Sequence, residues 1–268
     1  MGLYSRNDWI LNSFFHPLST REVLEKVEQK IKDHLKRLLP HTPPIILLDL
    51  DSTLYEVGHR TLAIMKEWNQ APRTQLSIQP TLDRVTLEHI GYSLADMAHK
   101  LGLKPDHPET HHALKELKSF WGDRFFTNDY LPHDKPYPGA AEYTQGLFEL
   151  GAHLVYLTGR EESKMHKVTV KNLKRDNFPW CEKRTILVMK PSVSIQDVVH
   201  KQNVKSLINK TGTLIASFEN EPVNIMALSK VFPEAMHIFM DTVYSDNPTE
   251  AGNNLFRINS FKKEESFS

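Results

Sequence analysis

Two aspartates, Asp49 and Asp51, stand directly after the uninterrupted aliphatic run Ile45-Ile46-Leu47-Leu48. Positions i and i+2 of a strand share a face, and an uncompensated carboxylate pair is costly to bury inside a sheet. At a strand end the same pair can bind a divalent cation and take part in nucleophilic and proton-transfer chemistry. Other apolar runs also end in groups able to do chemistry: Leu157 in Thr158-Gly159-Arg160, Met189 in Lys190, and Phe218 in Glu219-Asn220-Glu221. A carboxylate nucleophile, a second carboxyl for proton transfer, a metal ion and donors for phosphoryl oxygens are what cleavage of a phosphate monoester requires.

These groups lie far apart in the chain, so they act together only if the fold gathers them. Pro43-Pro44 marks the start of the first run, read as a short buried strand. From Pro138-Gly139 onward, strands at residues 154–157, 185–189, 214–218 and 237–240 alternate with helices. These helices end at Gly151, near Arg175, near Lys210 with Gly212 beyond, and near Val231. Such alternation predicts an α/β fold, a Rossmann-like doubly wound parallel sheet with helices on both faces. A parallel sheet brings its carboxyl ends to one rim, where ligands bind.

Between the first two strands, residues 55–136 show helical spacing only: Leu62, Met65 and Trp68, then Leu94, Met97, Ala98 and Leu101, then Leu114, Leu117, Phe120 and Trp121. The stretch far exceeds an ordinary βα connection of about 2–6 residues. It predicts an α-helical domain inserted into a core made of residues 43–54 and 137–246. Upstream, in residues 1–42, Ser19-Thr20-Arg21-Glu22 has the form of a capping box. Val23, Leu24, Val27, Ile31, Leu35 and Leu38 then predict an amphipathic helix to about Leu39, packed on the core and stopped by Pro40. Residues 247–268 read as a polar, partly ordered tail.

Lys+Arg and Asp+Glu both number 33, which gives no reason to expect a general nucleic-acid or membrane-surface binder. Cys181 is alone, so no intrachain disulfide framework exists, as suits a reducing compartment. The N-terminus does not resemble a signal peptide, and a cytoplasmic location is expected. His107, His111 and His112 are clustered, but a zinc site needs three or four ligands, and a solvated surface group is expected. His59, Arg60, Trp68 and Arg73 of the insertion could touch substrate, though nothing in the sequence sets them apart.

Asp49-Leu50-Asp51-Ser52-Thr53 resembles the D-x-D-x-T signature of the haloacid-dehalogenase (HAD) superfamily. Leu157-Thr158-Gly159-Arg160 resembles its second motif and Glu219 its acidic fourth motif, in the same order over residues 43–243. The insertion resembles the helical C1-type cap of that superfamily. The resemblance implies a phosphatase acting on a small phosphorylated substrate. Asp49 would form an aspartyl-phosphate, and Asp51 would protonate the leaving oxygen and then activate water. Mg²⁺ would be held by Asp49, the Asp51 carbonyl and Glu219. Thr158, Lys201, Thr53 and the backbone of Leu50 and Gly159 would contact phosphate. Lys201 ranks ahead of Lys205 and Lys190 as the third-motif lysine, and Arg160 is expected to neutralise acid at the rim. The fourth motif departs from the family's paired aspartates, leaving Asn220 and Glu221 without an assigned role. Phosphomutase or phosphonatase chemistry, or a catalytically silent HAD-fold binding protein, are the alternatives.

Overall fold

A computed structural model describes residues 2–37, 42–70, 78–192 and 194–263. Six strands form one parallel sheet: β1 (Pro44–Leu48), β2 (His153–Glu161), β3 (Thr185–Lys190), β4 (Thr213–Glu219), β5 (Met236–Met240) and β6 (Leu255–Ile258). Their order across the sheet is β6-β5-β4-β1-β2-β3. The chain winds outward from β1 in one direction through β2 and β3, then crosses to the other side for β4, β5 and β6. The carboxyl end of β1 is therefore the topological switch point, where an open α/β sheet leaves a crevice.

β1 is buried along its whole length, which is why its sequence is continuously aliphatic rather than alternating. Ile45 and Leu47 share a core with Val155 and Leu157 of β2, Leu214 of β4, and Val204, Ile208 and Leu228 from the helical segments after β3 and β4. Ile46 and Leu48 project from the opposite face. The helix Thr20–Leu35 buries Val23, Leu24, Val27 and Ile31. Ser19 accepts from the Glu22 N–H at its start while the Glu22 carboxylate accepts from the Ser19 N–H. The helix ends at Leu35, and the expected extension through Leu38 and Leu39 falls outside the described residues.

The expected tail proves to be part of the sheet. Leu255 and Ile258 pair with β5 and are buried, as is Phe261 beyond them. Residues 14–16 cover the far edge of β6: the Phe14 N–H donates to the Gly252 carbonyl at 2.8 Å, and the His16 N–H to the Leu255 carbonyl at 2.8 Å. Such a cover blocks pairing with another chain. The sequence pattern conceals the segment because its three apolar residues are interrupted by the exposed Arg257.

The molecule divides into two compact units. One holds the sheet. The other comprises residues 56–135 and 164–172, so the middle of the helix Glu162–Arg175 joins the inserted stretch expected from sequence. This second unit contains the helices Gly58–Gln70, Gln79–Leu82, Leu94–Lys100 and Pro108–Phe125. Its own core includes Met65, Trp68, Leu82, Val85, Met97, Ala113 and Leu117. Arg60 is buried there in a two-bond ion pair with Asp134, and Trp68 belongs to the core, so neither is offered to a ligand. Arg73 lies outside the described residues. Among the described residues no helix is long and apolar enough to cross a membrane.

Candidate active site

The register of the sheet sets the chemistry. Leu48 of β1 pairs with Tyr156 of β2 on one side and with Phe218 of β4 on the other. The Asp49 N–H continues the ladder to the Phe218 carbonyl at 3.1 Å. One residue further along, Asp49 and Glu219 therefore stand at the same level on adjacent strands, 170 positions apart in sequence.

Both carboxylates meet one ammonium. Lys201, from the helix Asp197–Asn203, donates to Asp49 Oδ1, to Glu219 Oε2 at 2.8 Å and to the Leu157 carbonyl at 2.9 Å. Its side chain is only 2% exposed. Burying an unpaired ammonium costs several kcal/mol, roughly, and three acceptors with two negative charges offset that cost. Burial alone would lower the lysine's pKa, but Asp49 and Glu219 together outweigh it and hold the ammonium well above its usual range. For Asp49 the balance runs the other way. Burial, then repulsion from Glu219, push its carboxyl up to about 7 against the attraction of Lys201.

This imbalance bears on a metal. Two buried carboxylates share a single positive charge, so the cluster carries excess negative charge on hard oxygen donors, the ligand type that suits Mg²⁺. Among the described residues no third His, Cys, Asp or Glu joins them in a ready-made cation cluster. A cation here would take its remaining donors from the main chain and from water. The residues present fit a divalent cation in that form.

Asp51 is held differently. Arg160 donates from Nε to Oδ2 at 2.8 Å and from Nη2 to Oδ1 at 2.9 Å. The Thr158 hydroxyl lies 3.4 Å from the same Oδ2 and accepts the Arg160 N–H at 3.2 Å. β2 runs through Glu161, four residues beyond the expected strand, and this extension carries Thr158, Gly159 and Arg160 to the rim in strand geometry. A Cβ on Gly159 would lie 3.0 Å from the Asp197 carboxylate, so a larger residue would require that exposed side chain to shift.

The turn after β1 is tight. The Ser52 N–H reaches the Tyr55 carbonyl at 2.7 Å, and the Tyr55 N–H reaches the Leu50 carbonyl at 2.8 Å. Ser52 has φ 62°, a left-handed conformation that costs a non-glycine residue about 1 kcal/mol. Two cross-links hold it: the Thr242 hydroxyl donates to the Ser52 carbonyl at 2.5 Å, and the Thr53 hydroxyl donates to Asn220 Oδ1 at 3.1 Å. Thr53, expected among the phosphate-contacting groups, is fully buried, and its hydroxyl donates to Asn220. It braces the loop because the turn points it into β4's terminus.

The same contacts give the fourth-motif neighbours their roles. Asn220 donates to the Val243 carbonyl at 2.6 Å. Glu221 accepts from the Ser245 N–H at 2.8 Å and the Ser245 hydroxyl at 2.7 Å. Both residues fasten the loop after β5. Of the other lysines, Lys190 is paired with Asp197 at 2.5 Å and Lys205 is exposed.

The structure thus gathers Asp49, Glu219 and Lys201 in one cluster, and Asp51, Thr158 and Arg160 in a second on the same strands. A separate cavity of about 960 Å³, lined by Phe148, Lys174, Phe178 and Trp180 among others, contains none of the strand-end residues. Arg160 does neutralise acid at the rim, as its position in the sequence suggests, but its partner and two-bond geometry are not specified by the sequence. A single arginine carries no periodic signal, and its partner depends on how far β2 extends.

Residues 110–219 match the family model of acid phosphatases of HAD superfamily subfamily IIIB. No curated protein matches the chain. Among solved structures, the chain resembles a HAD-superfamily hydrolase of subfamily IA from Geobacter sulfurreducens PCA at 13% identity and TM-score 0.45, covering 82% of this chain and 94% of that one. It also resembles a HAD-superfamily hydrolase from Ehrlichia chaffeensis at 12% identity and TM-score 0.47, covering 83% and 94%. Protein tyrosine kinase A (PtkA) of Mycobacterium tuberculosis is similar at 11% identity and TM-score 0.49, covering 84% and 97%. Likenesses of this size say nothing of what the chain acts on. Residues 110–219 therefore resemble acid phosphatases of the haloacid-dehalogenase superfamily, and the order of the strand-end motifs and the parallel sheet agree with that likeness.

Proposed function

We propose that the protein is a Mg²⁺-dependent phosphatase that hydrolyses a small phosphate monoester through an aspartyl-phosphate on Asp49. The observation that carries this reading is the cluster in which Lys201 bridges Asp49 and Glu219 at the carboxyl end of the central strand. The match of residues 110–219 to an acid-phosphatase family supports the choice of a phosphate ester.

Asp49 is the nucleophile: one carboxylate oxygen forms a bond to phosphorus as the bond to the ester oxygen breaks. Lys201 holds that carboxylate in place and partly neutralises it, which lessens repulsion from the anionic substrate. Asp51 gives its proton to the departing oxygen, then takes one from the water that attacks the phosphorus of the acyl phosphate. That second attack restores the Asp49 carboxylate and releases inorganic phosphate. The Thr158 hydroxyl and the main-chain N–H groups of Leu50 and Gly159, beside the ends of β1 and β2, would be the donors for phosphoryl oxygens. The Asp49 and Glu219 carboxylates and the Asp51 carbonyl would hold Mg²⁺, which when bound would supply charge neutralisation at the transferring phosphoryl group.

Hydrolysis of p-nitrophenyl phosphate with and without Mg²⁺ tests the reading. Turnover that depends on the cation and vanishes in Asp49→Asn is expected. Undiminished turnover in that variant would remove the covalent mechanism.

A further inference from the structure

Arg160 has no part in the phosphatase scheme, yet it makes two hydrogen bonds to Asp51. We propose that Arg160 is a positioning residue that holds the Asp51 carboxyl in the orientation needed to protonate the leaving oxygen. The proposal rests on the phosphatase reading.

Four observations support it. The contact is a two-bond fork, 2.8 Å and 2.9 Å, which fixes the plane of a carboxyl as well as its position. The guanidinium is 1% exposed while the Asp51 side chain is 30% exposed, so the holder is inside and the held group faces outward. The Arg160 N–H donates to the Thr158 hydroxyl oxygen at 3.2 Å, and that hydroxyl is directed toward Asp51 Oδ2, so one residue orients both groups. On its other side the guanidinium lies 5.7 Å from the centre of the buried Tyr55 ring, itself packed on Phe178.

The fork and the Thr158 hydroxyl together fix both oxygens of the Asp51 carboxyl in place. Free rotation of an unheld aspartate would spread its proton over many directions, and a misplaced acid loses much of its value. Lysine cannot replace the planar fork.

The expected signature is dependence on the leaving group. A p-nitrophenyl ester departs with little help from an acid, whereas an alkyl ester such as glycerol phosphate needs the proton. In Arg160→Gln, kcat on glycerol phosphate should fall about 100-fold, within the range general-acid catalysis provides. On p-nitrophenyl phosphate it should fall several-fold at most, with KM nearly unchanged for both esters. Arg160→Lys should resemble Arg160→Gln, and added guanidinium ion should restore part of the alkyl-ester activity of Arg160→Ala.

Equal losses on both esters, or a loss confined to KM, would overturn the positioning role in favour of a structural or phosphate-binding one. Full alkyl-ester activity in Arg160→Lys would do the same. Wild-type turnover abolished by Asp49→Asn establishes the phosphatase reading separately, so these failures would fall on Arg160 alone. A wild-type protein inactive on both esters would overturn the reading and the proposal with it.

Discussion

Each of the two units contains an arginine–aspartate fork. In the helical unit, Arg60 donates from Nε and Nη2 to Asp134 at 2.8 Å and 2.5 Å. In the sheet unit, Arg160 does the same to Asp51 at 2.8 Å and 2.9 Å. The bonds are alike and the surroundings are not. Both Arg60 and Asp134 are buried, at 1% and 0%, and Arg60 also donates to the Phe125 carbonyl and lies 4.3 Å over the Phe125 ring. That pair is sealed, so its effect is on structure. Asp51 keeps nearly a third of its side-chain surface open, so its proton can be exchanged. The two forks differ in access to one partner rather than in their bonding, and under the phosphatase reading that access is what admits chemistry.

The contrast can be broken by mutation, beginning where the effect is largest. Asp49→Asn should lower phosphatase turnover by about 10⁴-fold or more, as loss of a covalent nucleophile does, while circular dichroism shows an intact fold. Asp134→Asn should do the reverse. It removes the charge opposite the buried Arg60 guanidinium and should cost about 3–5 kcal/mol of stability, the usual result of breaking a buried pair, read by denaturant unfolding. Turnover of the folded fraction should stay at the wild-type level. Lost turnover with unchanged unfolding would erase the distinction between the two forks.

A comparably structural effect belongs to β6. Leu255 is fully buried beside Trp9 and Phe239, so Leu255→Ala should cost about 2–5 kcal/mol. A neutral result would mean that the C-terminal strand contributes nothing to the fold.

The effect spread most thinly, over several pH units, sharpens the electrostatic side of the comparison. Without divalent cation, folding raises the Asp49 carboxyl from 3.8 to about 7. Between those values the folded protein binds more protons than the unfolded chain, so stability falls as pH rises. The contribution reaches about 1.4 kcal/mol per pH unit at most. Urea unfolding across that window should show the slope, with Asp49→Asn or added Mg²⁺ flattening it. A slope of opposite sign would contradict the charge balance assigned to the cluster.

Much of the site is legible in the sequence because a buried parallel strand announces itself. Ile45-Ile46-Leu47-Leu48 is continuous aliphatic chain, so the polar residues directly after it must sit at a rim. The same reasoning locates Thr158 and Glu219. Lys201 is separable from Lys205 only through the likeness of the stretch from Asp197 to Glu219 to related phosphatases; its burial and its acceptors appear only in the fold. Arg160 and Thr53 are harder to read. Their partners, Asp51 and Asn220, are set by the length of β2 and by the left-handed turn at Ser52, and neither leaves a periodic trace. β6 escapes detection because pairing with β5, rather than any pattern of its own, defines it.

The central claim is that Asp49 becomes covalently phosphorylated at the end of β1. Acid quenching during turnover of p-nitrophenyl phosphate, followed by peptide mass spectrometry, tests it most directly. One phosphoryl group on the peptide containing Asp49, present with Mg²⁺ and absent in Asp49→Asn, is the predicted result. Steady hydrolysis with that peptide unmodified and the label on another residue would contradict the account.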